Sequence, residues 1–138
     1  MKSLNIIMFA VITILSVSCS SSNKTVDPLI DDIWMLEFLK DANYNPQTET
    51  DQRPSIEIHL KDNKVTGNTG CNTMNGNVTI EEDQITFSDI VTTKKFCSRG
   101  IEPEFLIALG MVNNYKIEKM ELHLYQDDEE LMIFQKVD

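Results

Sequence analysis

The sequence is poor in the residue types on which most catalytic motifs depend. It has two histidines and three cysteines among 138 residues, and it contains no Cys-x-x-Cys pair. No Gly-x-Ser-x-Gly segment occurs, so the turn that exposes the nucleophile of many serine hydrolases is absent. Acidic residues are abundant, but they fall in turns and on water-facing strand positions, where nothing would raise a pKa for acid catalysis. We therefore expect neither enzymatic activity nor a cofactor.

Metal ligands are equally scarce. His59 and His123 each alternate with apolar residues, so both are expected to point outward from their strands. Their spacing relative to Cys71 and Cys97 matches no zinc motif. The acidic run at 127–130 lacks the spacing and the glycine of an EF-hand loop, which favours a solvated turn. We expect no metal site.

Positive charge is also limited. The chain has 22 acidic and 12 basic residues and a formal net charge of −10, and no stretch concentrates lysine and arginine. A nucleic-acid-binding surface needs such a concentration. Nucleic acid is therefore excluded as an expected partner.

The N-terminus has the pattern of an export signal. Lys2 precedes an apolar run from Ile6 to Leu15, which is too short for a transmembrane helix, and small residues lead to Cys19. This end resembles the lipobox of bacterial lipoproteins, although Ser16 stands where the lipobox usually has Leu, Val or Ile. The resemblance implies that residues 1–18 are removed and that Cys19 is lipidated and anchors the protein to a membrane. Simple cleavage and a retained membrane anchor are the alternatives.

The rest of the chain is long enough for one domain. Residues 19–30 begin with a serine-rich polar segment and are assigned to a flexible tether, which leaves 31–138 as a single, monomeric domain. No aspartate follows Cys19, and no acidic run occupies the next positions. We expect an outer-membrane lipoprotein that faces the periplasm.

Most of this domain shows the period-two alternation of β-strands. Short turns at Asp62-Asn63 and Glu82-Asp83 leave room only for antiparallel neighbours. The expected strands contain Ile33 to Leu39, Ile56 to Leu60, Lys64 to Asn68, Val78 and Ile80, Ile85 and Phe87, Leu122 and Leu124, and Leu131 to Phe134. The residues expected to fill the interior include Trp34, Phe38, Ile58, Leu60, Phe87 and Phe134.

One segment has helical spacing instead. From Glu102 to about Asn113, the apolar residues Phe105, Leu109 and Val112 recur on one face, and acids lie in the first turn. The predicted fold is mainly β, of the α+β type: an antiparallel curled sheet or cracked barrel of seven or eight strands, with one helix covering its open side.

Asparagine and glycine are concentrated between Gly67 and Asn77. Both residue types tolerate positive φ, so this stretch predicts tight bends and a bulge at a barrel corner. A loop of backbone amides that receives an anion is the alternative, but the net negative charge of the chain opposes it.

These residues also carry a family resemblance. Gly67 to Asn72, then Gly76, then Thr92 to Cys97, then a helix with an acidic start, resemble the META domain family, which includes the bacterial heat-shock lipoprotein HslJ. The resemblance extends from about Trp34 to the C-terminus. It implies a small antiparallel barrel with one helix, similar in outline to secretin pilot lipoproteins and distantly to lipocalins. It also implies a link to envelope stress, and it supplies no catalytic residues.

Cys71 and Cys97 form an even pair once Cys19 is assigned to lipid. In an exported chain such a pair predicts a disulfide. Two reduced, partly buried thiols that pack as small apolar groups are the alternative.

Two functions fit these features. The first is a lipid-tethered accessory protein that contacts another envelope protein. The second is a small barrel that binds a lipid or another apolar ligand. The bulky residues expected inside the barrel favour the first function.

Overall fold

The computed structural model describes residues 25–48, 53–97 and 100–137, and these residues form eight antiparallel strands and one α-helix. A 3₁₀ turn at Pro28–Ile30 comes first. It is followed by β1 (Ile33–Leu39), β2 (Ser55–His59), β3 (Lys64–Asn68), β4 (Thr73–Glu81), β5 (Gln84–Thr92), α1 (Glu102–Met111), β6 (Asn114–Glu118), β7 (Glu121–Gln126) and β8 (Glu129–Lys136). Each strand pairs with the next, and β8 pairs with β1, so the sheet closes into a barrel. The predicted fold class is confirmed.

Side chains fill the inside of the barrel. Alternate strand residues point inward, as the period-two pattern predicts. Phe105 on α1 meets Phe134 on β8 edge to face, with ring centroids 6.3 Å apart. The buried strand residues include Trp34, Leu36, Ile56, Ile58, Val65, Met74, Val78, Ile85, Phe87, Leu122, Leu124, Met132 and Phe134.

Two of the residues expected inside the barrel do not lie there. Phe38 is 42% exposed, because β1 has a bulge at which Glu37 has no partner on β8. The extra residue turns both Glu37 and Phe38 outward before Leu39 returns to the core. Leu60 lies just beyond the end of β2 and packs only partly against the core.

The barrel has a weak seam between β5 and β6, which pair only at Gln84 and Asn114. Helix α1 connects these two strands. Its last residues lead to Asn113, whose carbonyl oxygen accepts a hydrogen bond of 3.2 Å from Ile85 N. The helix therefore runs beside β5, along the seam, with Phe105, Ala108 and Leu109 buried. This is the covering role predicted for it.

Some boundaries differ from those predicted. The helix ends at Met111, and Val112 already has an extended backbone, although its side chain is buried as expected. Strand β6 is an element that the sequence analysis does not place. The predicted tether ends too late, because the 3₁₀ turn buries Ile30 and its carbonyl oxygen accepts a 3.0 Å hydrogen bond from Trp34 Nε1.

The asparagine- and glycine-rich stretch contains the predicted bends. Gly70 has a φ of 89° in the loop between β3 and β4, a conformation that glycine adopts without strain. A Cβ atom on Gly67 would collide with the carbonyl oxygen of Ser55 on the neighbouring strand. The β4–β5 ladder changes register between Asn75 and Asn77, which is the predicted bulge.

Candidate functional site

The predicted site residues fall into two groups. Cys19 lies outside the described residues. Cys71 lies in the β3–β4 loop, and Cys97 is the last of residues 93–97, which follow β5 and which we call the connector. Their Cα atoms are 6.0 Å apart, which suits a disulfide, and the structure pairs their sulfur atoms. The oxidation state of this pair in the cell stays a prediction.

Asn72 is the centre of a polar cluster beside this cysteine pair. It is 3% exposed, and its side-chain oxygen accepts hydrogen bonds from Thr93 Oγ1 and from the backbone nitrogen of Lys95, both at 2.8 Å. Its amide nitrogen lies 3.4 Å from Lys95 O and 3.4 Å from Cys71 Sγ. A single buried side chain therefore holds the first half of the connector, through the hydroxyl group of Thr93 and the main chain of Lys95.

The same amide reaches the helix. Asn72 Nδ2 lies 3.1 and 3.0 Å from the two carboxylate oxygens of Glu102, the first residue of α1. Thr69 is fully buried, and its hydroxyl group contacts Glu102 Oε2. Asn72 N in turn donates to Thr69 Oγ1 at 2.9 Å. The β3–β4 loop, the connector and the helix start are thus joined at one point, which we call the Asn72 cluster (Thr69, Asn72, Thr93, Lys95 and Glu102).

The chemistry of the Asn72 cluster is structural. Buried polar groups are costly unless they have hydrogen-bond partners, and the side chains of Thr69, Asn72, Thr93 and Glu102 each have one. Lys95 takes part only through its main chain. Ile101, the N-cap residue of α1, makes no side-chain cap. Glu102 stabilises the helix start in another way, because its negative charge in the first turn complements the helix dipole. The cluster contains no histidine or cysteine, and Lys95 contributes only main-chain atoms to it. The arrangement positions the connector and the helix.

The two histidines lie far apart on the barrel. They belong to β2 and β7, which are separated by β8 and β1. His123 Nδ1 lies 2.7 Å from Glu130 Oε1, and its ring stacks on Tyr125. His59 Nε2 lies 3.3 Å from Thr66 Oγ1. Among the residues that the structure describes, no group of three or more potential ligands could hold a metal ion.

The acidic turn between β7 and β8 is tied to the segment after the helix. Asn113 Nδ2 donates to Asp127 Oδ1 at 2.9 Å, and Asp127 N donates to Asn113 Oδ1 at 2.8 Å. An open cleft of about 700 Å³ lies beside this turn and is lined mainly by polar side chains. A smaller depression of about 340 Å³ lies at the cysteine pair. Both are open to solvent on the outside of the barrel.

The joint role of Asn72 and Glu102 does not follow from the sequence pattern. The pattern places Asn72 in a bend and Glu102 at the positive end of the helix dipole, and the structure adds the contact between them. One feature of the sequence does indicate the contact of Asn72 with the connector. Both Gly67 to Asn72 and Thr92 to Cys97 belong to the motif that resembles the family, although they are far apart in sequence. Residues that form one motif across 20 positions of intervening chain often touch, as Asn72 and Lys95 do here.

An eight-stranded antiparallel barrel with one helix over its seam defines the class of fold. The META domain family matches residues 27–138, and the chain belongs to this family. The family assignment from the sequence is confirmed, and the match begins where the 3₁₀ turn begins to pack.

Solved structures share this fold. An NMR structure of a protein from Burkholderia xenovorans is 18% identical, with a TM-score of 0.64, covering 78% of this chain and 82% of that chain. A crystal structure of a DUF4847 family protein from Bacteroides vulgatus is also 18% identical, with a TM-score of 0.59, covering 80% and 97%. No curated protein matches this sequence. In the described part of the chain, no helix has the length and hydropathy that a membrane crossing needs.

Proposed function

We propose that this chain is a lipid-anchored periplasmic META-domain protein without catalytic activity, which acts as an interaction or accessory protein in envelope homeostasis or the stress response. The filled barrel interior is the observation that carries this proposal. Trp34, Phe105 and Phe134 are fully buried there, together with aliphatic residues from every part of the sheet except β6. A packed interior leaves the outer surface to meet a partner.

The absence of a convincing reaction site among the described residues also supports the proposal. The Asn72 cluster holds the connector in place, and both clefts of the barrel surface are open to solvent. Catalytic pockets more often exclude water and bring perturbed acids or bases together. The family membership and the predicted export signal agree with a role in the envelope.

The alternative function is a barrel that binds a lipid or another apolar ligand. Native mass spectrometry of the delipidated protein, purified from its own cells, separates the two functions. We expect the mass of the polypeptide alone, because the interior is occupied by side chains. A reproducible apolar adduct that disappears in a Leu124→Trp variant would favour the ligand-binding function instead, since Leu124 is fully buried in the barrel.

The membrane anchor has its own test. Metabolic labelling with a clickable fatty acid should label the parent protein and fail to label Cys19→Ala, because an acyl chain supplies the membrane affinity of an acidic domain. The matched control is the double variant Cys71→Ser, Cys97→Ser, which should keep its label. Label that persists on Cys19→Ala would reject Cys19 as the lipidation site.

A further inference from the structure

We propose that Lys94, Lys95 and Phe96 form a docking knob that binds an acidic surface of another envelope protein, with Phe96 entering an apolar pocket. This inference rests on the proposed interaction function and assigns that function to one place on the barrel. We call these three residues the Phe96 knob.

The first argument is exposure. Phe96 is 93% exposed, whereas Trp34, Phe105 and Phe134 are fully buried. Lys94 and Lys95 are exposed as well, and neither makes an ion pair with any described residue. The chain has a net charge of −10, so this exposed aromatic ring with two lysines that make no ion pairs among the described residues differs in charge from the chain as a whole. Aromatic residues of this kind are frequent anchors at the centres of protein interfaces.

The second argument is that the backbone of the knob is fixed. Asn72 receives a hydrogen bond from Lys95 N at 2.8 Å and approaches Lys95 O at 3.4 Å. Cys97, which follows Phe96, is paired with Cys71. Phe96 therefore lies between two residues that are held to the β3–β4 loop, while its own side chain projects into solvent. Such preorganisation lowers the entropy that an interface loses on binding.

The third argument is the position of the knob on the barrel. Thr25 lines a surface depression together with Glu82 and Asp83 at the β4–β5 turn. The knob follows the other end of β5, and the 9 residues of this strand span about 25 Å at the usual rise per residue. The end of the barrel at which Thr25 lies and the end that carries the knob are therefore opposite each other. A protein anchored through its N-terminus would present the knob away from its own membrane.

Charge then indicates the partner. Two adjacent lysines favour a surface that carries carboxylates, and the ring of Phe96 requires an apolar pocket among them. A second copy of this chain is disfavoured, because two molecules of net charge −10 repel each other. An anionic membrane is disfavoured by the position of the knob. The partner that remains is a different protein, with an apolar pocket for Phe96 and an acidic rim around that pocket.

Two cross-linkers in cells of the source organism test this directly, with the full-length protein in its own envelope. A benzophenone amino acid at position 96 reports apolar neighbours, and a carbodiimide joins lysine amines to carboxylates at zero length. The control position is Ile107, an apolar side chain of α1 that is 65% exposed. We expect one discrete partner to be cross-linked from position 96 and not from position 107. The carbodiimide product should map to an Asp or Glu of the same partner.

Charge reversal provides the matched variant. The double variant Lys94→Glu, Lys95→Glu should lower the yield of cross-linking from position 96 by about tenfold, since it places like charges across the interface. Its melting temperature should stay within a degree or two of that of the parent, because both lysine side chains are exposed. The control Lys61→Glu, at another exposed lysine, should leave the yield unchanged.

The contrary outcomes are distinct. A product in which position 96 joins a second copy of this chain, or binding of the purified protein to phosphatidylglycerol vesicles that Phe96→Ser abolishes, would overturn the proposal. Cross-linking from Ile107 alone would overturn this surface and keep the interaction function. Absence of any specific partner at both positions would overturn the surface and the interaction function together.

Discussion

The side-chain amide of Asn72 donates to the carboxylate of Glu102, with nitrogen to oxygen distances of 3.1 and 3.0 Å. The two residues are 30 positions apart, and their contact ties the β3–β4 loop to the first turn of α1. Because Asn72 also holds the connector, the helix is attached at its start by polar contacts and along its length by apolar ones. This joint fixes the start of the helix that runs along the seam of the barrel.

Changing Asn72 to Asp should destabilise the protein strongly. The substitution replaces a donor with a negative charge that faces Glu102, and we expect a loss of about 3 kcal/mol in the free energy of unfolding. Chemical denaturation measures it. The control Asn75→Asp, at an exposed position in β4, should change the stability by less than about 0.5 kcal/mol. Equal effects of the two variants would show that the contact with Glu102 has little energetic importance.

Removing the predicted disulfide should lower the stability of the oxidised protein. The sequence separation of Cys71 and Cys97 is 26 residues. Closing a loop of this length contributes up to about 3.5 kcal/mol by the chain-entropy estimate. The double variant Cys71→Ser, Cys97→Ser should melt on the order of 10 °C lower, and a reductant should abolish the difference. Two free thiols counted in denatured protein from its own envelope would reject the bond.

Leu109→Asp should unfold the domain or nearly so. Leu109 is 1% exposed on the buried face of α1, and an unpaired carboxylate there costs several kcal/mol, comparable with the stability of a small domain. Glu104→Ala in the first turn is the control, with an expected change of a few tenths of a kcal/mol from the helix dipole. Thermal melts compare the two. A melt of Leu109→Asp within a degree or two of that of the parent would contradict the covering role of the helix.

The pair of Asp32 and Lys136 should make part of the stability depend on acid pH. Lys136 Nζ lies 2.7 Å from Asp32 Oδ2, and this hydrogen bond, helped by the backbone N–H of Ile33, lowers the pKa of Asp32 below its usual value of 3.8. A lowered folded-state pKa stabilises the protein above the unfolded-state pKa, and this stabilisation is lost as the pH falls through the folded-state pKa.

Melting curves of the parent and of Lys136→Met from neutral pH down to about pH 3 test this. The parent should be more stable by up to about 1 kcal/mol at neutral pH, and the difference should shrink below about pH 4. Lys61→Met, at an exposed lysine, should show no such pH dependence. A difference that is constant across the whole range would show that Asp32 is not the titrating partner.

Much of the local structure could be predicted because its causes are local. The turns at Asn63 and Glu82 adopt positive φ angles of 52° and 56°, which asparagine and short polar loops tolerate. The helical stripe of Phe105, Leu109 and Val112 is buried as its spacing indicates. The position of Phe38 could not be predicted, for the opposite reason. Its exposure depends on a bulge that arises from the pairing of β1 with β8, nearly 100 residues away along the chain.

The candidate site also has one part that could be predicted from the sequence and one part that could not. Cys71 and Cys97 could be singled out as a pair from their number alone, but nothing local indicates that Asn72 and Glu102 meet. That contact exists because β3, β4 and β5 bring the loop and the connector to one end of the barrel.

Apart from β6, the sequence by itself therefore determined the strand and helix types, the antiparallel neighbours and the family, because periodicity, turn residues and motif spacing are properties of short segments. Only the tertiary structure decided the closure of β1 on β8, the one-pair seam between β5 and β6, and the exposure of Phe96 on a fixed connector. These features depend on contacts between residues that are distant in sequence, and such contacts form only when the whole sheet has curled and its helix has packed.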